Sequence, residues 1–352
     1  TDEEVERAKR AIIKNIELSF NSSERIALNL SEWLGMGDWR LFFLHRDRIE
    51  KVTTADVQKA AEKYLTRNNR TVGRFIPAEK AQRVEIPQVA SVADMLKGYK
   101  GRGAIAQGEV FDPSHDNIDS RTLLSQLSNG AKLSLLPKKT RGESVVLSIN
   151  MGLGDEKSLN GLKSVGETVG SMLMRGTKNF TREQLKDEFD KLKANASIDA
   201  YATNAFARVT TNRENLPKVL DLVTEVFKNP AFDAKEFEQY KATTKVDIEK
   251  NLQDPQRIAF KEYSRKTNQY AKGHPRYVPT FEEDLAETEA VKLADLKAFH
   301  KRFYGANNMR ISIVGDFDKD AITKQLESLY GRWNAQQDYV RVGSPYKKVS
   351  TE

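Results

Sequence analysis

The sequence contains no cysteine, few histidines and no long apolar run. Of its 352 residues, none is cysteine and four are histidine. The lack of cysteine excludes disulfide bonds, thiolate metal ligands and a cysteine nucleophile. No apolar stretch approaches the roughly 18 residues that a membrane-spanning helix requires. Hydrophobic residues make up 39% of the chain and charged residues 30%, which predicts a globular protein with a substantial core.

The basic residues give no sign of a nucleic-acid site. The net charge is +7 and the isoelectric point is near 9.2. Lysines and arginines are dispersed among the acidic residues, and the densest run is only Lys138, Lys139 and Arg141. A basic stripe with interleaved stacking aromatics is missing, so no nucleic-acid partner is expected. A module that binds acidic polymers is kept as a third hypothesis, which a steep salt dependence of binding would favour.

An internal repeat is the most informative pattern in the chain. VTTADVQKAAEKYLTRNNRTV (Val52–Val72) aligns without a gap with VKLADLKAFHKRFYGANNMRI (Val291–Ile311). Each copy predicts an N-capped amphipathic helix, a polar turn at Asn-Asn and then a strand. Chance likeness between two amphipathic helices is the alternative, but the matching turn and strand favour domain duplication.

The spacing of the two copies predicts how the chain is organised. The first copy follows only about fifty residues and the second closes a much longer stretch, so we expect a fragment of a longer protein. Residues 1–77 are predicted to be the C-terminal part of one domain. Residues 78–120, where helical periodicity is mostly lost, are predicted to be an interdomain connector. Residues 121–340 form the second domain, and 341–352 start a linker.

The fold class predicted for this chain is α+β, with tandem homologous domains. Strands are expected at Ala131–Leu136 and Ser144–Gly152, paired as a hairpin, and at Asn195–Thr203 and Phe206–Thr211 around a turn at Asn204. Helices are predicted between these strands and after them. Hairpins mixed with helix pairs indicate a mixed or antiparallel sheet covered by helices in each domain.

Three segments resemble the pitrilysin/insulinase zinc metallopeptidases, the inverzincins, in a bacterial form. They are LSNGAKLSLLPKK at 127–139, INMGLGDEK at 149–157 and MLMRGTKNFTREQLKDEFDKL at 172–192. Ile198-Asp199-Ala200-Tyr201 stands where the family has Ile-Asn-Ala-Tyr, and the resemblance extends over essentially the whole chain. It implies tandem domains that form one half of a clam-like peptidase. The family's zinc site lies on the helix that precedes the Met-Leu-x-x-Gly-Thr segment.

The residues of that zinc site are missing from this sequence. The family's His-x-x-Glu-His places two imidazoles on one helical face to hold zinc, while the glutamate activates the metal-bound water. The resemblance places Glu167 and Ser171 at the histidine positions and Gly170 at the position of the general base. The distal acidic ligand falls near Asp247 or Glu249. No metal and no catalytic residue are therefore predicted in this segment.

The four histidines do not suggest a replacement site. His115 lies among Asp112, Asp116 and Asp119, a superficially metal-like cluster that its polar loop context makes a solvated turn. The other three are predicted on the surface, in a loop and in the repeat helix: His45, His274 and His300.

The sequence thus predicts a non-catalytic segment of a zinc metallopeptidase, which helps to enclose and bind peptide for a zinc site carried elsewhere. By resemblance, Asp199, Ala200 and Tyr201 are candidate peptide-binding residues, with a plain core strand as the alternative. The competing hypothesis is an inactive paralogue that acts as scaffold or partner subunit of a separate catalytic chain. A periplasmic location is expected, with the cytoplasm as the alternative.

Overall fold

The computed structural model describes residues 1–70, 91–101 and 107–344. The chain divides into two compact units, Thr1–Ala106 and Gln107–Glu352. This division falls within the predicted connector, whereas the predicted domain boundaries themselves stay predictions. The strand predicted at the end of the first repeat copy lies outside the described residues.

The first unit is helical over the described residues. Its helices are α1 (Asp2–Ser19), α2 (Ser23–Gly35), α3 (Arg40–Ile49), α4 (Thr54–Tyr64) and α5 (Val92–Leu96). The threonine before α1 and the threonine before α4 each form a capping box with the acidic residue three positions on, which satisfies backbone N–H groups left free at a helix start.

Helix α3 buries two apolar side chains. Leu41 and Phe42 are both buried, and the rings of Phe20 and Phe42 pack edge to face with centroids 5.8 Å apart. Arg46 is buried beside Asp47, with Nη2 2.8 Å from Oδ1. His45 next to it is exposed, as expected.

The second unit carries six strands and nine helices among its described residues. The strands are β1 (Leu123–Gln126), β2 (Lys132–Pro137), β3 (Ser144–Gly152), β4 (Asn195–Tyr201), β5 (Asn204–Asn212) and β6 (Met309–Gly315). The helices are α6 (His115–Arg121), α7 (Lys163–Leu173), α8 (Arg182–Lys191), α9 (Leu216–Lys228), α10 (Ala234–Asn251), α11 (Pro255–Lys266), α12 (Phe281–Ala290), α13 (Leu293–Phe303) and α14 (Lys319–Tyr330).

The strands form one mixed sheet in the order β1-β2-β6-β3-β5-β4. Only the pair of β2 and β6 is parallel. The mixed sheet confirms the predicted fold class. The predicted hairpin of β2 with β3 is wrong, because β6 from the far end of the unit lies between them and pairs with both. Sequence proximity favoured the local pairing, while the alternating apolar residues of β6 fill the central position.

Three further elements differ from the sequence analysis. Helix α6 lies at the end of the stretch that was predicted to be a connector, and neither strand β1 nor helix α12 was predicted. Each is short, with at most ten residues, so periodicity gave little signal. The hairpin after β4 turns at Ala202 and Thr203, whereas the predicted turn residue Asn204 already belongs to β5.

The sheet has one buried face and one open face. Along β3, Val145, Leu147 and Ile149 are buried, whereas the alternate residues Val146, Ser148 and Asn150 are exposed. This alternation is what a half-covered sheet requires, since successive side chains point to opposite faces. The buried face shares a core with α9, α13 and α14. The open face and the edge strand β4 are where functional side chains can meet a ligand.

Candidate functional site

Helix α7 occupies the place of the family's zinc-binding helix. Its apolar stripe packs into the core, since Val169, Met172 and Leu173 are all buried. The first histidine position carries Glu167, whose side chain keeps 43% of its surface exposed and lies 4.0 Å from Nζ of Lys163. Packing around this carboxyl nevertheless raises the pKa of Glu167 above its ordinary value, with the negative charges of α12 adding to the effect.

Gly170 lies directly against the edge strand β4. A Cβ atom at Gly170 would come within 2.3 Å of the backbone N of Ala200, 2.5 Å of Oδ1 of Asp199 and 2.7 Å of the carbonyl oxygen of Ala200. Two of these three atoms are backbone, so a small side-chain shift cannot relieve the clash. No side chain, and so no general base, fits at this position of α7 while β4 stays where it is.

The three predicted peptide-binding residues have different surroundings. Oδ1 of Asp199 accepts a hydrogen bond of 2.7 Å from the N–H of Ala200, and burial raises the pKa of Asp199. Ala200 is buried and its backbone faces Gly170. The side chain of Tyr201 is 60% exposed and its ring lies 5.5 Å from that of Phe206. Of the three, Tyr201 alone offers an exposed side chain.

These residues do not fit a catalytic zinc ion. Glycine and serine at positions 170 and 171 supply neither an imidazole nor a carboxylate, and Asp247 is exposed on the outer part of α10. Within residues 1–70, 91–101 and 107–344, no three His, Asp or Glu side chains lie close enough to form a metal site. Zinc carried by another part of the protein or by a partner stays a prediction.

The three histidines of the second unit lie at a helix start, within a helix and in a loop. His115 is exposed as predicted, but it begins α6 and does not lie in a turn, because Ser114 caps that helix. His300 lies on α13, where Nε2 is 2.7 Å from the carbonyl oxygen of Phe227. His274 is a loop residue as predicted, and its ring stacks on Tyr270 with centroids 4.2 Å apart.

Sequence reasoning missed a cavity of about 360 Å³ at the tip of the β4–β5 hairpin. Arg276, Arg310 and Arg341 line it, together with Asn150 and Asn204. No sequence motif connects these residues, because they come from five separate parts of the chain. Only the register of the sheet and the course of two loops bring them together.

Comparison with known families agrees with the geometry. The model of the insulinase family, peptidase family M16, matches residues 137–280, and the model of the peptidase M16 inactive domain matches residues 290–352. The chain belongs to the M16 peptidase family. This confirms the predicted pitrilysin/insulinase relationship.

Related proteins are zinc proteases of bacteria. The chain is 24% identical over 212 residues to an uncharacterized zinc protease of Rickettsia bellii, covering 59% of this chain and 49% of the relative. It is 24% identical over 228 residues to the probable zinc protease PqqL of Haemophilus influenzae, covering 62% of this chain and 23% of the relative. The chain thus spans about half, or less, of the length of these relatives.

Solved structures share the fold. A peptidase M16 inactive domain from Pseudomonas fluorescens superposes with a TM-score of 0.54 at 23% identity, over 64% of this chain and 54% of that one. The periplasmic protease PqqL from Escherichia coli superposes with a TM-score of 0.53 at 18% identity, over 65% and 26%. Among the described residues, no helix is both long and apolar enough to cross a membrane.

Proposed function

We propose that this M16 chain is a non-catalytic segment of a zinc metallopeptidase that helps to enclose and bind peptide, while the zinc site lies in another domain or chain. The observation that carries the proposal is the contact of Gly170 with β4. The position that would hold the general base has no room for a side chain. This segment therefore contributes surface and charge, not bond cleavage.

The mode of peptide binding also follows from that contact. Pairing of an extended peptide with the edge of β4 would use backbone groups such as those of Ala200. Helix α7 stands against those groups, because even one methyl group at Gly170 would collide with them. Of the predicted residues, we therefore assign peptide contact to Tyr201 and the hairpin tip, and a supporting role to Asp199 and Ala200.

The alternative is an inactive paralogue that serves as scaffold or partner subunit of a separate catalytic chain. The match of residues 290–352 to an inactive M16 domain supports both versions equally. They differ in whether the His-x-x-Glu-His half is covalently attached. The mass of the native protein, and activity reconstituted only by adding a second chain, would distinguish them.

The test of the main proposal measures metal, cleavage and binding on the same preparation. Zinc content is determined by mass spectrometry, and cleavage of a fluorogenic peptide is followed with and without phenanthroline. We expect no stoichiometric zinc and no chelator-sensitive turnover, but saturable binding of a labelled uncleaved peptide. A zinc-loaded M16 peptidase serves as positive control. Tightly held zinc with phenanthroline-sensitive turnover would refute the proposal.

Restoring the motif tests the role of Gly170 directly. The variant E167H/S171H supplies both imidazoles and leaves Gly170 in place, and E167H/G170E/S171H adds the missing base. We expect the triple variant to lose stability by about 3 kcal/mol or more relative to the double variant, because overpacking against backbone is among the costly core changes. A stable triple variant would show that β4 can move away.

A periplasmic location is part of the proposal. It rests on the relationship to PqqL, whose Escherichia coli form is described as a periplasmic protease. The lack of cysteine is compatible with an oxidising compartment, where a free thiol is a liability. Fractionation of cells that express the complete protein would test it.

A further inference from the structure

The cavity at the tip of the β4–β5 hairpin is strongly cationic. Arg276, Arg310 and Arg341 line it, and no carboxylate is among its lining residues. Within the described part of the chain, none of these three arginines forms an ion pair. Since guanidinium groups stay protonated at any physiological pH, the cavity holds three uncompensated positive charges.

A second cavity differs because its arginines are paired with a carboxylate. It is lined by Arg175 and Arg182, but Glu236 lies between them at 3.2 and 3.5 Å from their guanidinium nitrogens. That acid neutralises much of the local positive charge from within the protein. At the hairpin tip the described lining residues include no such acid, so the cavity can offer its positive charge to an anionic ligand.

The sheet fixes the position of Arg310. In the pairing of β6 with β3, Arg310 stands opposite Asn150, and both are exposed on the open face. Asn150 in turn pairs with Phe206 of β5, which Tyr201 contacts. One row across the open face thus leads from the edge strand to the cavity.

The segment that carries Arg341 is held in place by several contacts. The ring of Tyr339 covers Gly152 so closely that a Cβ there would lie 2.5 Å from it. The N–H of Val340 donates to the carbonyl oxygen of Gly154 at 2.9 Å. Nη2 of Arg276 donates to the carbonyl oxygen of Val342 at 2.8 Å. The wall of the cavity is therefore built before any ligand arrives.

The loop that carries Arg276 is fixed as well. Nδ1 of His274 accepts a hydrogen bond of 2.9 Å from the N–H of Arg276, and the imidazole stacks on Tyr270. Farther along, Glu283 accepts from Lys272, Tyr277 and the N–H of Thr280, and these bonds lower the pKa of Glu283 to about 2. A pre-positioned guanidinium loses less conformational entropy on binding than a free one.

We propose that this cavity binds a carboxylate of the peptide ligand, either an acidic side chain or the C-terminus. The inference rests on the proposed peptide-binding function and names the chemistry of the ligand. Guanidinium groups recognise carboxylates by paired charge-assisted hydrogen bonds, and Asn150, Thr203 and Asn204 supply further polar groups. Asn204, which lines the cavity, stands directly opposite Tyr201 in the pairing of β4 with β5. A peptide that contacts Tyr201 reaches it directly.

The experiment compares matched peptides on wild-type protein and arginine variants. One labelled peptide carries an internal glutamate and a free C-terminus, a second has glutamine instead, and a third has an amidated C-terminus. Binding is measured by fluorescence anisotropy at one fixed low ionic strength. The variants are R310Q, R341Q and R310Q/R341Q. Arg276 is left unchanged because it also supports Val342.

Arg208 provides the matched control. It is exposed on the same open face, its guanidinium lies 5.4 Å from the ring centroid of Phe206, and it is outside the cavity. R208Q removes the same charge without touching the proposed site. Circular dichroism confirms that all variants are folded, which is expected because Arg310 and Arg341 are exposed.

We expect wild-type protein to bind one carboxylate-bearing peptide about tenfold more tightly than its neutral counterpart. Each arginine substitution should weaken the binding of that peptide by about tenfold, which is typical for the loss of a charge-assisted hydrogen bond. The preference should vanish in R310Q/R341Q and persist in R208Q. If the glutamine peptide binds more weakly, the acidic side chain is the group that the cavity binds. If the amidated peptide binds more weakly, it is the C-terminus.

Several results would overturn the assignment. Equal binding of all three peptides by wild-type protein, or an equal loss in R208Q, would show that no specific carboxylate site exists. Displacement of the peptide by inorganic phosphate or heparin at lower concentration than by unlabelled acidic peptide would assign the cavity to another anion. If none of the peptides binds at all, the proposed peptide-binding function fails together with the site.

Discussion

The two copies of the repeat form the same local structure in different surroundings. Helix α4 and helix α13 begin and end at equivalent positions, and each is followed by a short 3-10 turn, Arg67–Asn69 in the first unit and Ala306–Asn308 in the second. Both begin with an acidic residue at the third position that accepts from the backbone before the helix. The repeated sequence thus determines where the helix starts and stops.

Burial separates the copies. Val57, Tyr64 and Leu65 in the first copy are 46%, 62% and 84% exposed. Their counterparts Leu296, Phe303 and Tyr304 are 0%, 1% and 2% exposed, because α13 packs into the core of the second unit. An apolar stripe in the sequence therefore reports a capacity for burial, and the rest of the domain decides whether burial occurs.

The largest expected difference between the copies concerns the aromatic residue near the end of each helix. Phe303→Ala should reduce the free energy of unfolding by about 3–5 kcal/mol, because it removes a buried ring that packs on Phe299 with centroids 4.6 Å apart. Tyr64→Ala, at the equivalent exposed position, should change it by about 0.5 kcal/mol or less. Urea denaturation followed by circular dichroism checks both. Equal effects would mean that α4 is covered in solution.

Substitution of the next residue, Tyr304, should raise the free energy of unfolding. The hydroxyl of Tyr304 is buried and has no hydrogen-bond partner among the described residues. Tyr304→Phe should therefore stabilise the protein by about 1 kcal/mol, since a buried unsatisfied hydroxyl is costly. In Tyr330, also buried, the hydroxyl lies 2.8 Å from Oγ1 of Thr224, so Tyr330→Phe should destabilise by about 1 kcal/mol. Thermal denaturation of the two variants tests the contrast.

Local interactions should matter more in the first copy. Thr53 both donates to Asp56 and accepts from its N–H, whereas Lys292 at the equivalent position donates only its backbone N–H to Asp295. Thr53→Ala should destabilise α4 by about 1 kcal/mol, the typical loss for an N-cap threonine. Lys292→Ala should leave α13 unchanged. Hydrogen exchange, measured for each proteolytic peptide, follows the two helices separately. If Lys292→Ala accelerated exchange in α13 more than Thr53→Ala accelerates it in α4, the comparison would be contradicted.

A pH dependence is expected in the second copy, where His300 stands in place of Ala61. Burial lowers the pKa of His300 below its ordinary 6.5, although the bond to Phe227 opposes this. The folded state thus favours the neutral imidazole. This contribution to stability is fully present above pH 6.5 and is lost as the pH falls through the lowered pKa.

The pH effect should be the smallest of the four. His300→Gln should make unfolding of the second unit less sensitive to pH in this range, while Ala61→His should add little pH dependence to the first. Denaturation at several pH values, with NMR titration of the imidazole, gives the answer. A pKa for His300 at or above 6.5 would show that the ring is hydrated.

The sequence predicted most elements and the family, but not every strand pairing. Strands β3 and β4 were placed within about two residues, because the alternation of apolar residues along a strand is a local signal. The pairing of β2 with β6 could not be read, since it joins residues far apart in the chain. Elements such as β1 and α6 are too short for periodicity to identify.

The assignment of a degenerate zinc site to α7 rests on the resemblance and stays a prediction, whereas the contacts of α7 are given by the structure. Glu167, Gly170 and Ser171 stand at positions that resemblance alone identifies. Two features depend on the tertiary structure: Gly170 allows α7 to touch the backbone of Ala200, and three arginines converge at the hairpin tip.

By itself the sequence determined where several helices and strands lie, the membership in the M16 family and the lack of histidine at positions 167 and 171, since each depends on residues close together in the chain. The tertiary structure alone decided which repeat copy is buried, which strand lies between β2 and β3, and where uncompensated charge collects. Those outcomes depend on distant segments meeting, and no local pattern encodes the place where they meet.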